Sequence, residues 1–154
     1  PLMDEIGIEA QSLKDSLSVL IEEDTNAFNS VIKANRLPQN TDDEKILRKD
    51  AILSANKYAT EVPFKTAQKC FRVLQLSEQL VLQGNPNSVS DAGVAAEVAL
   101  AGVRGACMNV MINLSGINDR SFVKKMNDKV NKLTKDSESL HKRIYKQTLL
   151  IIKK

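Results

Sequence analysis

Residues 88–116 read SVSDAGVAAEVALAGVRGACMNVMINLSG. The stretch opens on Ser88-Val89-Ser90-Asp91, side chains suited to capping a helix start, and closes on Gly116, a helix stop. Between them Ala92, Gly93, Ala95, Ala96, Ala99, Ala101, Gly102, Gly105 and Ala106 are all small. An interior glycine costs a helix about 1 kcal/mol relative to alanine. Several in one helix are explained by another helix backbone coming close. The segment therefore predicts a helix over 88–114, tightly packed among others, and so an all-α bundle.

The flanking sequence extends that reading in both directions. Upstream, Gly84 can take a left-handed cap at the end of a helix over 63–83, and Asn85-Pro86-Asn87 forms a turn. Thr41-Asp42-Asp43-Glu44 spells a capping box and starts a helix reaching about residue 60. Glu61-Val62-Pro63 predicts a break there, with Pro63 in the first turn of the next helix. Residues 2–35 form a first long helix, ended at Leu37-Pro38. Its apolar stripe is Leu13, Leu17, Leu20, Ala27 and Val31, and the gap of seven is filled by Asp24. Asp24 is therefore expected on the buried face.

Downstream, Asn118-Asp119 or Ser121 caps a last helix. Met126, Val130, Leu133, Ser137, Leu140 and Ile144 repeat as a seam. A helix running on to residue 154 would be about 50 Å long, against a radius of gyration near 15 Å for a compact chain of this length. The expectation is one domain over 1–154: an elongated, multihelical bundle of about five helices, with a partner covering the long helix in a homodimer.

Composition narrows the function classes. The 154 residues include 42% hydrophobic but only 4% aromatic residues and no Trp, which argues against a β-sandwich. No apolar run is read as approaching the roughly 20 residues of a membrane span, and no basic-then-apolar signal segment opens the chain. No membrane partner is expected. A net charge of +3 is too small for a nucleic-acid footprint. Charge is uneven, however: residues 117–154 hold 11 Lys+Arg against 4 Asp+Glu, and residues 1–116 hold 11 against 15. Cys70 and Cys107 are far apart and His141 is the single histidine, so no metal site is expected, and the cysteine usage fits a reducing, cytoplasmic setting.

Three groups of residues could carry chemistry. A carboxylate on an apolar stripe is costly unless paired or protonated, and burial raises its pKa, so Asp24 is either a general acid or half of a structural ion pair. The turn at Asn85, Ser88, Ser90 and Asp91 feeds a helix start, which could hold a polar ligand or merely cap the helix. Asn109 and Asn113, four apart, share a helix face and could grip a polar ring or bridge to a neighbouring helix. Arg36 could clamp a carboxylate.

Taken together, Asp24-Thr25-Asn26-Ala27-Phe28, Arg36-Leu37-Pro38, Val62-Pro63, Gly84-Asn85, Ser90-Asp91, Val94-Ala95-Ala96 and Asn109-Val110-Met111-Ile112-Asn113-Leu114 occur in an order that resembles the cyclodeaminase/cyclohydrolase family. The sequence is similar to the C-terminal module of formiminotransferase-cyclodeaminase and to stand-alone methenyltetrahydrofolate cyclohydrolases. The resemblance implies a multihelical intertwined dimer, a tetrahydrofolate derivative as substrate, and no further cofactor. It matches Asp24 to the family's catalytic proton donor and puts the 85–91 turn and the Asn109/Asn113 face near the pocket. The family's N-terminal Gly-rich segment and Ala-rich helix have no counterpart here; the chain opens on Pro1-Leu2-Met3, as a processed or partial chain would.

The expected reaction is ring closure of 5-formiminotetrahydrofolate to the 5,10-methenyl form with release of ammonia. Hydrolysis of the methenyl form to 10-formyltetrahydrofolate is the alternative, and a non-catalytic helical scaffold is the rival from another class. Polyglutamylated folates are polyanions, so the resemblance also lets Lys124, Lys125, Lys129 and Lys132 steer a substrate tail.

Overall fold

The computed structural model describes residues 2–153. Among them are four α-helices, one 3-10 turn and no strand: α1 (Leu2–Asn35), α2 (Asp42–Gln83), the turn Pro86–Ser88, α3 (Val89–Leu114) and α4 (Arg120–Ile152). The helices run up, down, up and down. Arg72 of α2 grips Glu9 of α1 with two hydrogen bonds of 2.6 and 2.8 Å. Arg104 of α3 meets Glu138 of α4 at 2.9 Å. α2 is the hub, packing against α1, α3 and α4, whereas α1 touches the bundle chiefly through α2.

Four helices stand where about five are expected, because α2 continues through Pro63. Proline lacks the N–H that would bond to the carbonyl four residues back. That acceptor is Ala59 O, and the Asn113 side chain of α3 donates to it at 2.8 Å. The helix stays continuous because a neighbour supplies the missing donor.

Packing follows the small-residue reading of α3. A Cβ on Gly93 would lie 2.9 Å from Thr148 Cγ2 of α4, and one on Gly102 would lie 2.7 Å from Cys70 Sγ of α2. Both glycines mark close helix approach. Between α2, α3 and α4 lie Phe64, Val103, Val110, Met126 and Val130 at one end and Leu74, Ala96, Leu140 and Ile144 toward the other. The α4 seam is thus covered by α2 and α3 of the same chain. α2, at 42 residues, spans about 63 Å and is long enough to back it. The length of α4 therefore does not require a partner.

The capping box forms as read: Thr41 Oγ1 accepts from Glu44 N at 3.2 Å and Glu44 Oε2 accepts from Thr41 N at 3.1 Å. Asp119 caps α4, its Oδ1 accepting from Phe122 N at 3.0 Å. Gly84 differs from expectation. It is extended (φ −80°, ψ −174°), not left-handed. Its lack of a side chain is still required, because a Cβ there would sit 2.5 Å from Leu80 O.

α3 is apolar on two faces. By length and composition, Pro86–Leu114 could cross a bilayer, a correction to the expectation that no run comes close. One face packs on α2 and α4. The other carries Val94, Val98, Met108 and Ile112, all 62 to 70% exposed.

Candidate active site

The buried seam of α1 is Ile6, Leu13, Leu20, Ala27 and Ala34, one residue every seven. Glu9, Ser16, Glu23 and Ser30, three residues on from each of the first four, flank it and are half-buried. Leu17, Asp24 and Val31, four residues on, flank the seam on its other side: Leu17 and Val31 are half-buried, Leu17 against Leu20, Ala27 and, from α2, Val62. Asp24 between them is exposed, not buried as expected. Its carboxylate makes no hydrogen bond or ion pair among the described residues, so the structural ion-pair alternative fails too.

Instead Asp24 stands at the edge of a groove. α1 and α3 form its walls and α2 its floor. Two adjoining clefts open along it, and both include Asp24 and Asn109. The first, about 330 Å³, is lined by Asp24, Phe28 and Val31 from α1, Asn56 and Ala59 from α2, and Asn109, Ile112 and Asn113 from α3. Its volume lies within the range of small-molecule sites. The second, about 360 Å³, runs on over Leu20, Ile21, Pro63, Thr66 and Gly102. A third, about 260 Å³, shares Asn56 with the first and is lined by Gln39, Lys45, Arg48, Lys49, Ile52, Leu53, Gly116 and Asn118.

The asparagine pair divides its work. Asn113 bridges to α2 through Nδ2, as one of its two sequence readings has it, leaving its side-chain oxygen for the cleft. Asn109 is exposed in the cleft wall.

The other sequence candidates lie elsewhere in the subunit. Asn85 Oδ1 accepts from Asn87 N at 3.0 Å and caps the 3-10 turn, while Ser88 makes no side-chain cap bond. Ser90 and Asp91 are exposed on the first turn of α3. Eighteen residues of helix separate Asp91 from Asn109, about 27 Å. One chain does not bring the 85–91 turn to the Asp24 cleft. Arg36 is exposed after α1 and lines none of the clefts described here. His141 lies on α4 beside Glu97 (Nε2 to Oε1 2.9 Å), away from the groove.

The basic α4 surface is neutralised only in part, and Lys124, Lys125, Lys129 and Lys132 line a cleft of about 490 Å³ there with Ser121 and Asp128. Lys124 pairs with Asp128 at 2.7 Å and Lys132 with Asp136 at 2.6 Å, while Lys129 lies 5.5 Å from the centre of the Phe64 ring. Among the described residues no three His, Cys, Asp or Glu side chains gather as metal ligands.

Sequence reasoning missed Asn56, Phe28 and the Lys45/Arg48/Lys49 group. Asn56 had a signal. With Ile52, Ala59, Pro63 and Thr66 it falls on one face of α2 at spacings of 3 and 4. The predicted break at Pro63 hid that continuity.

The fold and site together define a helical-array protein with a carboxylate and amides facing a ligand-sized groove. Comparison with known proteins places it further. Residues 1–132 match the family described as formiminotransferase-cyclodeaminase. The methenyltetrahydrofolate cyclohydrolase of Methylorubrum extorquens is 39% identical over 137 residues, 89% of this chain and 66% of that protein. The formimidoyltransferase-cyclodeaminase of Mus musculus is 32% identical over 123 residues, 80% of this chain and 23% of that protein. The crystal structure of formiminotetrahydrofolate cyclodeaminase from Thermotoga maritima matches with a TM-score of 0.86 and 27% identity, over 99% of this chain and 72% of that one. The chain belongs to the formiminotransferase-cyclodeaminase family, and these relatives are folate enzymes. It spans 66% of the cyclohydrolase and 23% of the bifunctional enzyme.

Proposed function

We propose that the groove binds a tetrahydrofolate carrying a one-carbon unit between N5 and N10, and that the reaction is hydrolysis of 5,10-methenyltetrahydrofolate to the 10-formyl compound. The observation that carries this is the Asp24 carboxylate, unpaired and open to water at the cleft edge. The expectation of ammonia release comes with the family resemblance, which matches Asp24 to a proton donor. An accessible carboxylate suits a base that activates water. Similarity to a cyclohydrolase over 89% of the chain points the same way.

In this reading Asp24 takes a proton from water as its oxygen adds to the methenyl carbon. The bond from that carbon to N5 then breaks, N5 receives the proton from Asp24, and the formyl group stays on N10. The second proton of the water leaves to solvent. Positioned proton transfer of this kind contributes typically 10²–10⁴-fold. The Asn109 amide and the Asn113 side-chain oxygen orient the pterin. Asn85, Ser88, Ser90, Asp91 and Arg36 keep their place only if a second subunit brings them near.

Cyclodeamination is the second reading, favoured by the fold match to a cyclodeaminase. There N10 attacks the formimino carbon and Asp24 protonates the departing ammonia.

The reading includes a homodimer. The exposed face of α3 runs Val94, Val98, Ala101, Gly105, Met108, Ile112. Its sizes read large, large, small, small, large, large, which is self-complementary under a two-fold axis between Ala101 and Gly105.

The test is the near-ultraviolet absorbance of the methenyl compound with the full gene product. Faster loss than in buffer supports hydrolysis. Appearance from the formimino compound, without such loss, replaces it with cyclodeamination. Silence in both, with folded protein and no folate-induced shift in melting temperature, overturns the enzymatic reading in favour of a scaffold.

A further inference from the structure

The third cleft differs in kind from the two at Asp24. Lys45, Arg48 and Lys49 line it, and no carboxylate does. With Ile52, Leu53 and Asn56 they fall at intervals of three and four along α2, so one helix face presents cations, then two aliphatic side chains, then an amide. Gln39 and Asn118 add amides from the loops before α2 and after α3.

The charge there is poorly compensated. Lys45 donates to Asp42 at 2.8 Å. Arg48 donates through Nη2 to the neutral carbonyl of Asn35 at 3.0 Å, which leaves its charge unmatched. Lys49 makes no ion pair among the described residues. On α4, Lys124 and Lys132 face Asp128 and Asp136 across single helix turns; with Lys125 and Lys129 they line a separate cleft that also holds the Asp128 carboxylate, and none of them lines the Asp24 groove.

Asn56 lines both the basic cleft and the first Asp24 cleft, so the two are contiguous. Eight residues of α2 separate Arg48 from Asn56, about 12 Å. That is a reach suited to an aminobenzoyl ring and a glutamyl group laid end to end, with the pterin beyond Asn56. We infer that the cleft of Lys45, Arg48 and Lys49 binds the carboxylates of the substrate's glutamyl end, with Ile52 and Leu53 under the aminobenzoyl ring. The inference rests on the folate reading above and moves the tail from α4, where the sequence put it, to the start of α2.

The test uses the full gene product, Lys49→Gln and Lys45→Gln/Lys49→Gln, with Lys124→Gln/Lys125→Gln on α4 as the rival. The probes are methenyltetrahydrofolate with one and with three glutamyl groups, and methenyltetrahydropteroate, which has none. The α2 double variant should raise KM for the triglutamyl substrate about five- to tenfold. It should leave kcat and the pteroate KM unchanged, and flatten the rise of KM with salt. An unchanged glutamyl KM, an equal rise for the pteroate, or an effect confined to the α4 variant overturns the assignment. Calorimetry with p-aminobenzoylglutamate against p-aminobenzoate separates the two levels. Glutamate-dependent binding lost in the α2 variant, in a protein that turns over no folate, sinks the enzymatic reading alone. Absence of such binding, in a protein that does turn over folate, sinks the tail site alone.

Discussion

Asn113 of α3 and Ala59 of α2 are joined by a hydrogen bond of 2.8 Å at the one carbonyl of α2 that Pro63 leaves without its helical donor. A residue read as a ligand contact thus also repairs a helix. An unmet, partly buried carbonyl costs about 1–3 kcal/mol. Asn113→Leu should therefore destabilise the chain by that order in urea unfolding. In a Pro63→Ala background, where residue 63 regains its N–H, the same substitution should cost clearly less. Equal losses in both backgrounds would show that the bond does not serve the proline.

Asp24→Asn removes a side chain with no structural partner. Turnover should fall about 10²–10⁴-fold with melting temperature and folate affinity nearly unchanged. A variant retaining most of its kcat would move the proton transfer to another group.

That Asp24 is exposed shows where sequence periodicity stops. Leu13, Leu17, Leu20, Ala27 and Val31 define a stripe wide enough to include position 24. A helix that packs on a single neighbour buries a narrower line, here every seventh residue from Ile6 to Ala34. The first helix, the capping box and the α4 seam were legible because each depends on local chemistry or on a seam buried along its length. The continuity of α2 was not, since the donor that rescues it comes from 54 residues away. The separation of the 85–91 turn from Asn109 follows once α3 is one unbroken helix, and a shared family motif cannot reveal distance within a subunit.

Acid should release α1 first. Glu9 and Glu23 of α1 titrate below the ordinary carboxyl value, held there chiefly by side-chain hydrogen bonds from Arg72 and Lys65 of α2. A carboxyl with a depressed folded pKa contributes stability above its unfolded value, near 4, and loses it as pH falls through the folded one. Asp119, held low by Lys57, acts likewise at the α2–α4 contact. Hydrogen exchange below pH 4 should show α1 amides losing protection before those of α3. Simultaneous loss would mean that the ion pairs do not set the stability of α1.

Gly102 and Gly105 make a controlled pair. Gly102→Ala drives a Cβ to 2.7 Å from Cys70 Sγ and should destabilise the fold by about 1–3 kcal/mol. Gly105→Ala meets nothing within 4 Å in the single chain and should gain up to about 1 kcal/mol of helix propensity. If α3 pairs with its copy across Gly105, that variant should also weaken self-association in sedimentation, and Met108→Glu should abolish it. A monomer at all concentrations in the unaltered protein would remove the two-fold reading of α3.

One face of α2, from Lys45 to Thr66, floors both Asp24 clefts and the Lys45 cleft, so the spacing between the proposed tail anchor and the floor beneath Asp24 is counted in helical residues. An α-helix turns about 100° per residue. A single inserted or deleted residue between Lys49 and Asn56 would swing one group out of line with the other. The length of that stretch therefore cannot change. Length variation belongs instead to the loop between α1 and α2, where an added residue shifts no side chain around the axis of α2.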